Sequence, residues 1–458
     1  MLAKSPWKPR LADIEGPPSD RLVTALAEDI VEGRVEASAR LPAHRELASE
    51  LRIGLGTVTK AYAILERRGL VRSVKGSGMF VSVAQARGGP LIDMSRNVPA
   101  AMMTERLLTR TLTAIAKRID ADLFNAYPPT AGHDEYRRQM ARWFASKGME
   151  ADVRCLLLTN GAHHAASVAV TVACGIGEGT LFVEPQTYPG VIALASHLGL
   201  RLVSVAADDE GMVPADLDHA LKSKRTGRAA AFLMPTMQNP TTTTMRLARR
   251  KSIVAVCRDH DITIIEDDVY TLRASAQLPP LATLAPERTL YINSLSKTLN
   301  PALRIGGMVT PKSLYARAEA ALQASALMVS SMSCAVLEQW LQDGTTEAVT
   351  SSIQEESRRR YALARSLLGE SVRKREHDGF HVWIPMTRAA ALQFEHAARA
   401  LGVIVTPPDS TAADPAAVHG GIRLCLGAPS QSELTTALAS IAPLLSQPKP
   451  ASNASPVM

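Results

Sequence analysis

Paired cysteines are missing from this sequence. Its cysteines stand far apart, with no Cys-x-x-Cys pair and no Cys/His spacing of the kind that holds zinc. The five are Cys155, Cys174, Cys257, Cys334 and Cys425. An odd number of scattered thiols argues against a disulfide framework, so we expect a protein of the reducing cytoplasm without a structural metal.

Long apolar runs are missing as well. The best candidate for a membrane span, near residues 165–176, is short and is interrupted by Thr171 and Gly175. The first ten residues, MLAKSPWKPR, carry charge and no apolar stretch follows them, so we expect no signal peptide. With 458 residues and a hydrophobic fraction of 46%, the chain is large enough for about two to four domains.

Positive charge is concentrated in one segment. The net charge of the chain is +7, and residues 51–90 hold seven lysines and arginines against one acid. The basic residues are Arg52, Lys60, Arg67, Arg68, Arg72, Lys75 and Arg87, and the acid is Glu66. A basic segment on a folded unit can bind phosphates, and a solvated charged surface is the alternative.

Helical periodicity and turn residues organise residues 1–83. Apolar positions predict helices over 20–33, 43–51 and 57–68. Alternating residues over 70–83, broken by Gly76-Ser77-Gly78, predict a hairpin. Helix, helix, turn, helix and hairpin is the order of a winged helix-turn-helix, which is an α+β domain.

The predicted helix-turn-helix carries candidate DNA contacts, because the start of its second helix enters the major groove. Wing glycines let backbone N–H groups approach phosphates. The stretch over 20–83, with LPAHRELASELRIGLGTVTKAYAILERRGLV and GSGMFV, resembles the GntR family of bacterial regulators. By that resemblance, the contacts to a double-stranded DNA operator are Arg45, Thr57, Lys60, Gly76, Ser77 and Gly78. A winged helix used for protein contacts is the alternative.

From residue 91 onward, short apolar runs alternate with helical stretches, which is typical of a mainly parallel α/β sheet. Seven runs predict its strands: 155–158, 181–183, 202–205, 230–233, 262–265, 290–292 and 307–309. Residues 316–361 are helix-rich, and runs at 380–385 and 422–426 predict strands of a smaller α+β lobe. We therefore expect a linker over 84–92, a second domain over 93–445 and a disordered tail over 446–458. Within the second domain, the large part covers about 130–320 and the small lobe about 321–445.

Lys297 is the centre of a second group of candidate residues. It follows the predicted strand 290–292, and a lysine amine forms a Schiff base with an aldehyde cofactor. Asp267 follows the run 262–265, where an acid can keep a pyridine nitrogen protonated, and Tyr270 can hydrogen-bond a ring oxygen. The Ser-x-Ser-Lys motif that ends in Lys297 is weak evidence when it is taken alone, because most lysines are ordinary surface lysines.

Further polar residues follow other predicted strands. Asn239 offers an amide to the same ring oxygen, and Tyr188 can stack on the ring. The stretch Gly161-Ala162-His163-His164 leads into a predicted helix, whose first N–H groups form a phosphate site. Taken singly, each of these residues has an ordinary structural explanation. Asp267 could cap a helix, Asn239 could lie in a turn, Tyr188 could be a core aromatic, and Gly161 could be a packing glycine.

Taken in order, these segments resemble the fold-type I enzymes that use pyridoxal 5′-phosphate (PLP), the aminotransferase class, over about 91–445. The segments are YPPTAG, LLLTNGAHHA, VEPQTYPG, QNPT, IIEDDVY, SLSKTLNPALRIGG and GIRL. The resemblance implies that Lys297 carries the aldimine, that Asp267 pairs with the pyridine nitrogen and that Tyr188 stacks on the ring. It assigns the phenolic oxygen to Asn239 and Tyr270, and the phosphate to Ala162, His163, Ser294, Ser296 and Arg304.

Two more roles follow from the same resemblance. Tyr127 resembles the tyrosine that reaches the phosphate from the partner subunit, which implies a homodimer. Arg423 resembles the arginine that binds an amino acid's α-carboxylate, and an ordinary ion pair on a strand is the alternative. Thr242 departs from the family, which usually has glycine there, and so do the adjacent His163 and His164. Two histidines can suggest a metal, but no further ligands are apparent.

The order of the two halves resembles the MocR subfamily of GntR-type regulators, in which the aminotransferase-like domain serves as a sensor. We therefore expect a PLP-dependent transcription regulator that responds, through Lys297, to PLP itself or to an amine or amino acid effector. The alternative is an active aminotransferase, for 2-aminoadipate or aromatic substrates, with a DNA-binding arm.

Overall fold

A computed structural model describes most of the chain. The described residues are 7–13, 16–31, 34–35, 39–67, 70–74, 78–81, 91–118, 125, 127–272, 275–414 and 416–445. The chain divides into two compact units, which are Met1–Ile92 with Arg399–Ile404, and Asp93–Ala398 with Val405–Met458. The predicted tail and most of the predicted linker lie outside the described residues.

The first unit contains three helices and a hairpin. The helices are α1 (Pro18–Val31), α2 (His44–Glu50) and α3 (Leu55–Arg67), and the strands are β1 (Val71–Val74) and β2 (Gly78–Val81). The two strands are antiparallel, with Val71 opposite Val81. The unit has its own apolar core, to which α1 contributes the fully buried Leu22 and Leu26. The predicted order of elements is present.

The starts of α1 and α3 each lie two residues before the predicted position. We expect α3 to begin at Thr57, yet it begins at Leu55. The carbonyl of Gly54 already accepts hydrogen bonds from the N–H groups of Thr57 and Val58, so the turn before Thr57 is part of the helix. Of the predicted wing residues, Gly78 opens β2, whereas Gly76 and Ser77 lie outside the described residues.

The second unit is built on a seven-stranded sheet. Its strands are β4 (Leu156–Thr159), β5 (Thr180–Val183), β6 (Arg201–Ser204), β9 (Ala229–Leu233), β10 (Thr263–Asp267), β11 (Thr289–Ser294) and β12 (Gly306–Val309). They are ordered β4-β12-β11-β10-β9-β5-β6. Only β12 runs antiparallel to its neighbours in this sheet. All seven predicted strands are present, to within two residues at each end.

The remaining strands form two-stranded sheets. They are β3 (Ile92–Asp93) with β14 (Val403–Ile404), β7 (Ala207–Asp208) with β8 (Gly211–Met212), and β13 (His381–Thr387) with β15 (His419–Cys425). The last pair forms the sheet of the predicted small lobe, antiparallel with Trp383 opposite Arg423. Ile92, which we assigned to the linker, therefore lies in a strand.

Helices connect the strands of the second unit. They are α4 (Glu105–Ala116), α5 (Asp134–Ser146), α6 (Ala162–Cys174), α7 (Pro189–His197), α8 (Pro214–Lys224), α9 (Leu247–Asp259), α10 (Leu281–Leu284), α11 (Tyr315–Ala326), α12 (Ser331–Gln342), α13 (Thr345–Leu368), α14 (Arg388–Ala400) and α15 (Gln431–Leu445). Helices α11 to α13 account for the helix-rich prediction over 316–361. No single helix among the described residues is long and apolar enough to cross a membrane, although one bent helix pair has the length and composition.

The parallel strands set the position of the functional residues. Strands β9 and β11 are buried along their whole length, so their side chains fill the core on both faces. Asp267 is the last residue of β10 and Ser294 the last of β11. Because these neighbouring strands run parallel, their carboxyl ends meet at one edge of the sheet, where ligands bind in α/β folds.

A buried carboxylate on α1 connects this helix to residues before and after it in the first unit. Asp29, on α1, accepts hydrogen bonds from Trp7 Nε1 at 2.8 Å and Arg10 Nη2 at 2.7 Å, and pairs with Arg34 at 2.6 Å. Burial raises the pKa of Asp29, but the hydrogen bonds from these three side chains outweigh that effect and hold the pKa below its usual range.

We predict that Asp29→Asn destabilises the first unit by about 1.5–3 kcal/mol, the range for hydrogen bonds to charged groups. Because the pKa of Asp29 is lowered on folding, this stabilisation is present above the ordinary aspartate pKa and is lost as the pH falls through the folded value. Hydrogen exchange of α1 amides measures the change. Glu50→Gln, at an exposed position of α2, is the control; equal exchange in both variants contradicts the prediction.

Candidate functional site

Lys297 lies just beyond the carboxyl end of β11. Its Nζ donates to the backbone oxygen of Asn97 and lies 5.7 Å from the centre of the Tyr270 ring. Burial lowers the pKa of the Lys297 amine to about 8, and the positive charges of Arg423 and Arg304 lower it too, whereas Asp267 raises it. The lowered pKa gives this half-buried amine a larger neutral, nucleophilic fraction near neutral pH than an ordinary lysine has.

Asp267 is a buried acid with few partners. It is 4% exposed, and the described residues give its carboxylate one hydrogen bond, from the Val269 N–H at 3.4 Å. Burial raises its pKa to about 7, while Lys297 lowers it. The neighbouring acids are occupied elsewhere: Glu266 accepts the N–H groups that open α10, and Asp268 accepts the Tyr291 hydroxyl. Asp267 is therefore suited to pair with a cationic ring nitrogen.

Arg423 and Asn239 are hydrogen-bonded to each other at the site. Arg423, on β15, is 7% exposed and donates from Nη1 to Asn239 Oδ1 at 2.6 Å. Its Nε donates to Thr406 Oγ1 at 3.0 Å, and its Nη2 to the Ser95 carbonyl at 3.2 Å. No carboxylate among the described residues pairs with it within 4.0 Å, so the alternative of an ordinary ion pair is not supported.

The start of α6 and Arg304 form a second cluster of the site. Gly161 precedes α6 with a φ of 84°, and a Cβ there would lie 2.9 Å from Arg304 Nη2. Arg304 itself has a left-handed φ of 50° and donates to the Asn160 carbonyl at 3.1 Å. The predicted phosphate residues Ala162 and His163 are the first two of α6, so positive charge and N–H groups converge here.

The remaining predicted residues are spread around this site. Ser294 is buried, and its hydroxyl accepts the Ser296 N–H at 3.4 Å. Tyr188 Oη lies 3.3 Å from His163 Nδ1, and the two rings meet edge to face. Burial raises the pKa of Tyr188 to about 12, so its hydroxyl stays neutral. Tyr127 is 80% exposed.

The structure shows how Thr242 and His164, which depart from the family pattern, are accommodated. Thr242 adopts a φ of 62°, so the loop keeps a backbone conformation that favours glycine. His164 is occupied: Nδ1 accepts the Asn160 N–H at 3.1 Å, and Nε2 lies 2.9 Å from Ser325 Oγ. Burial lowers the pKa of His164, which favours its neutral form.

Sequence reasoning missed Asn97 and His381. Asn97 Nδ2 lies 2.7 Å from Tyr270 Oη and 3.1 Å from His381 Nδ1, so both residues belong to the site. Asn97 stands before any strand of the main sheet, and His381 lies on β13 of the smaller sheet. The only signal in the sequence is a polar residue within an apolar strand, which is weak evidence without the fold.

The first unit presents a separate candidate surface. Arg45, on α2, and Lys60, on α3, are exposed, and Thr57 is partly exposed near the start of α3. Gly78 is also exposed, and the Arg40 side chain, which the sequence analysis missed, lies beside it. The first unit therefore exposes positive side chains on α2 and α3, and a further one, Arg40, lies beside Gly78.

Comparison with known proteins identifies both parts. Residues 89–441 match the family described as aminotransferase class I and II. The chain belongs to this family. Its residues 18–81 match the family of bacterial regulatory proteins named gntR, so a GntR helix-turn-helix domain precedes the aminotransferase-family domain, as in MocR-like regulators.

Relatives of this aminotransferase-family chain share the same two-part arrangement over nearly their whole length. It is 26% identical to the HTH-type transcriptional regulator YdeF of Bacillus subtilis, covering 93% of this chain and 94% of YdeF. It is also 26% identical to the vitamin B6 salvage pathway transcriptional repressor PtsJ of Salmonella typhimurium, covering 93% and 98%. An archaeal alanine:glyoxylate aminotransferase has the same fold over 79% of this chain and 92% of its own, with a TM-score of 0.70 and 22% identity.

We predict that Lys297 in the cofactor-free protein is half-maximally methylated, with formaldehyde and cyanoborohydride, near pH 8 instead of near the ordinary lysine pKa of 10.5. Only the neutral amine reacts, and burial favours that form. Mass spectrometry follows the labelling, with the exposed Lys224 as a surface reference. Asp267→Asn should lower the midpoint and Arg423→Leu should raise it. A midpoint above pH 10 contradicts the prediction.

Proposed function

We propose that this protein is a PLP-dependent transcription regulator that binds an operator through its GntR unit and senses PLP, or an amine or amino acid, at Lys297. One observation carries the proposal: a GntR helix-turn-helix precedes an aminotransferase-family domain in which the half-buried Lys297 amine lies in the electrostatic field of the buried Asp267 and the buried Arg423. The relatives named as HTH-type transcriptional regulators support this reading over that of an enzyme.

The residues of the site fit PLP. Asp267, buried and nearly without partners, suits the pyridine nitrogen; Lys297 suits the aldehyde carbon; and the glycine-led start of α6 with Arg304 suits the phosphate. When bound, PLP supplies an electron-withdrawing ring and an aldehyde that exchanges amines. The remaining holding roles fall to Asn239 and Tyr270 at the ring oxygen, Tyr188 on the ring, and Ala162, His163, Ser294 and Ser296 at the phosphate.

Sensing requires that the ligand distinguishes two states of the protein. Lys297 and Arg423 donate to the backbone carbonyls of Asn97 and Ser95, which precede the main sheet in the chain. A ligand that engages both cations competes with those carbonyls, so occupancy changes the restraints on residues 95–97. The name of the relative PtsJ supports PLP itself as one effector. Arg423, whose charge no carboxylate among the described residues neutralises, supports an amino acid as the other.

The partner subunit completes the proposed assembly. The exposed Tyr127 would serve the phosphate site of a second copy, so we propose a homodimer acting on a DNA operator in the cytoplasm.

The rival function is full transamination, which the intact set of Lys297, Asp267 and Arg423 favours. Multiple turnovers with amino acid and keto acid pairs would support the enzyme; a single half-reaction supports the sensor.

We predict that Lys297→Ala abolishes the visible absorption band that the wild-type protein gains on incubation with PLP. The change removes the only amine positioned beside Asp267 among the described residues. Lys312→Ala, at an exposed lysine outside the site, is the matched control and should keep the band. An unchanged spectrum in the Lys297→Ala protein would refute the proposal.

We predict that Arg45→Ala and Lys60→Ala each weaken binding to the DNA upstream of the protein's own gene. If the lost contact is to a phosphate, the slope of log K against log salt should fall by about one per residue. Fluorescence anisotropy at several salt concentrations measures both effects. Lys224→Ala, exposed on α8, should bind as the wild type does; equal losses in all three variants would exclude a specific role for the first unit.

A further inference from the structure

The side chains of Asn97, Tyr270 and His381 come from distant parts of the chain and meet near Lys297. The Asn97 amide lies between Tyr270 Oη, at 2.7 Å, and His381 Nδ1, at 3.1 Å. The Tyr270 and His381 rings also pack edge to face, with centroids 5.4 Å apart. Tyr270 is 2% exposed and His381 is fully buried, so water does not compete for these hydrogen bonds.

The tyrosine hydroxyl has a single proton to donate. If Tyr270 donates to the ring oxygen of PLP, as the proposed function requires, it must accept from Asn97 at the same time. The Asn97 amide then turns its Nδ2 toward Tyr270 and His381, and its Oδ1 away from both. This orientation leaves Asn97 Oδ1 buried and without a hydrogen-bond partner among the described residues, which is its cost.

His381 fixes the same orientation from the other side. Burial lowers its pKa well below the ordinary value, as do the charges of Arg423, Arg375 and Lys297, while the backbone of Gln238 opposes the shift. His381 is therefore neutral, and Nδ1 can accept from Asn97 when the ring proton sits on Nε2, which is buried and has no hydrogen-bond partner among the described residues. A protonated or Nδ1–H histidine would instead turn the Asn97 oxygen inward and take the Tyr270 proton away from the ligand.

We propose that Asn97 and His381 are positioning residues that orient the Tyr270 hydroxyl toward the phenolic oxygen of PLP. This inference rests on the proposed function, because it concerns the cofactor held at Lys297. The pair does not touch the reacting amine through a side chain. It sets which atom receives the only proton of Tyr270, and this in turn sets how strongly the phenolic oxygen attracts a proton at the Lys297 linkage.

The test is a pH titration of the visible absorption band of the PLP-loaded, full-length protein. A hydrogen bond donated to the phenolic oxygen withdraws electron density and lowers the pKa of the Lys297 linkage. Tyr270→Phe should therefore raise that pKa. Asn97→Ala should raise it too, by about 0.5–1, which is roughly a three- to tenfold change in proton affinity, because the hydroxyl loses its fixed direction.

A double variant separates positioning from a general disturbance. If Asn97 acts through the Tyr270 hydroxyl, Asn97→Ala should add less than about 0.3 to the pKa change already caused by Tyr270→Phe, because there is no hydroxyl left to orient. His381→Phe should behave like Asn97→Ala, and Asn97→Ser serves if the alanine variant folds poorly. Asn300→Ala, at an asparagine that caps a neighbouring turn, should leave the titration unchanged.

The outcomes distinguish the two proposals. No shift in Asn97→Ala, or a shift that adds in full to that of Tyr270→Phe, overturns the positioning role. The absence of any visible band in the wild-type protein, or a band that survives Lys297→Ala, would instead overturn the proposed function. A shift in Asn97→Ala that disappears in the Tyr270→Phe background supports both.

Discussion

A buried acid with a half-buried amine in its electrostatic range is the arrangement on which the site depends. Asp267 is taken out of water at the end of a strand and has almost no hydrogen-bond partners, which costs free energy of folding. Lys297 lies close enough to exert a favourable field on it. The two adjacent acids, Glu266 and Asp268, accept hydrogen bonds from the backbone and from Tyr291, so Asp267 is the acid of the three with the fewest partners among the described residues.

Much of this arrangement could be predicted from the sequence, because its signals are local. Asp267 and Lys297 each follow an apolar run, and parallel strands bring their carboxyl ends to one edge. The boundary of α3 was harder: Thr57 is a good cap by residue type, yet the Gly54 carbonyl starts the helix earlier. Local propensity does not show which of two adjacent turns the chain will use.

Asn97 and His381 could not be predicted, because only the tertiary fold brings them together. The two residues are 284 positions apart, and Asn97 is 173 positions from Tyr270. No spacing or composition connects such distant polar residues. The same limit applies to the DNA-binding unit, where exposed Arg45 and Lys60 are visible in both sequence and structure, but their roles as contacts remain predictions.

The fork of Arg423 has a consequence for chemical selectivity. Asn239, Thr406 and the Ser95 carbonyl already hold the guanidinium in one orientation without neutralising its charge. An arriving carboxylate therefore meets a rigid, planar cation and spends little entropy on ordering it. Amines that lack an acid group gain nothing from this fork. If Arg423 binds the effector's carboxylate, as the proposed function requires, zwitterionic compounds should bind better than simple amines such as polyamines, whatever the length of their side chains.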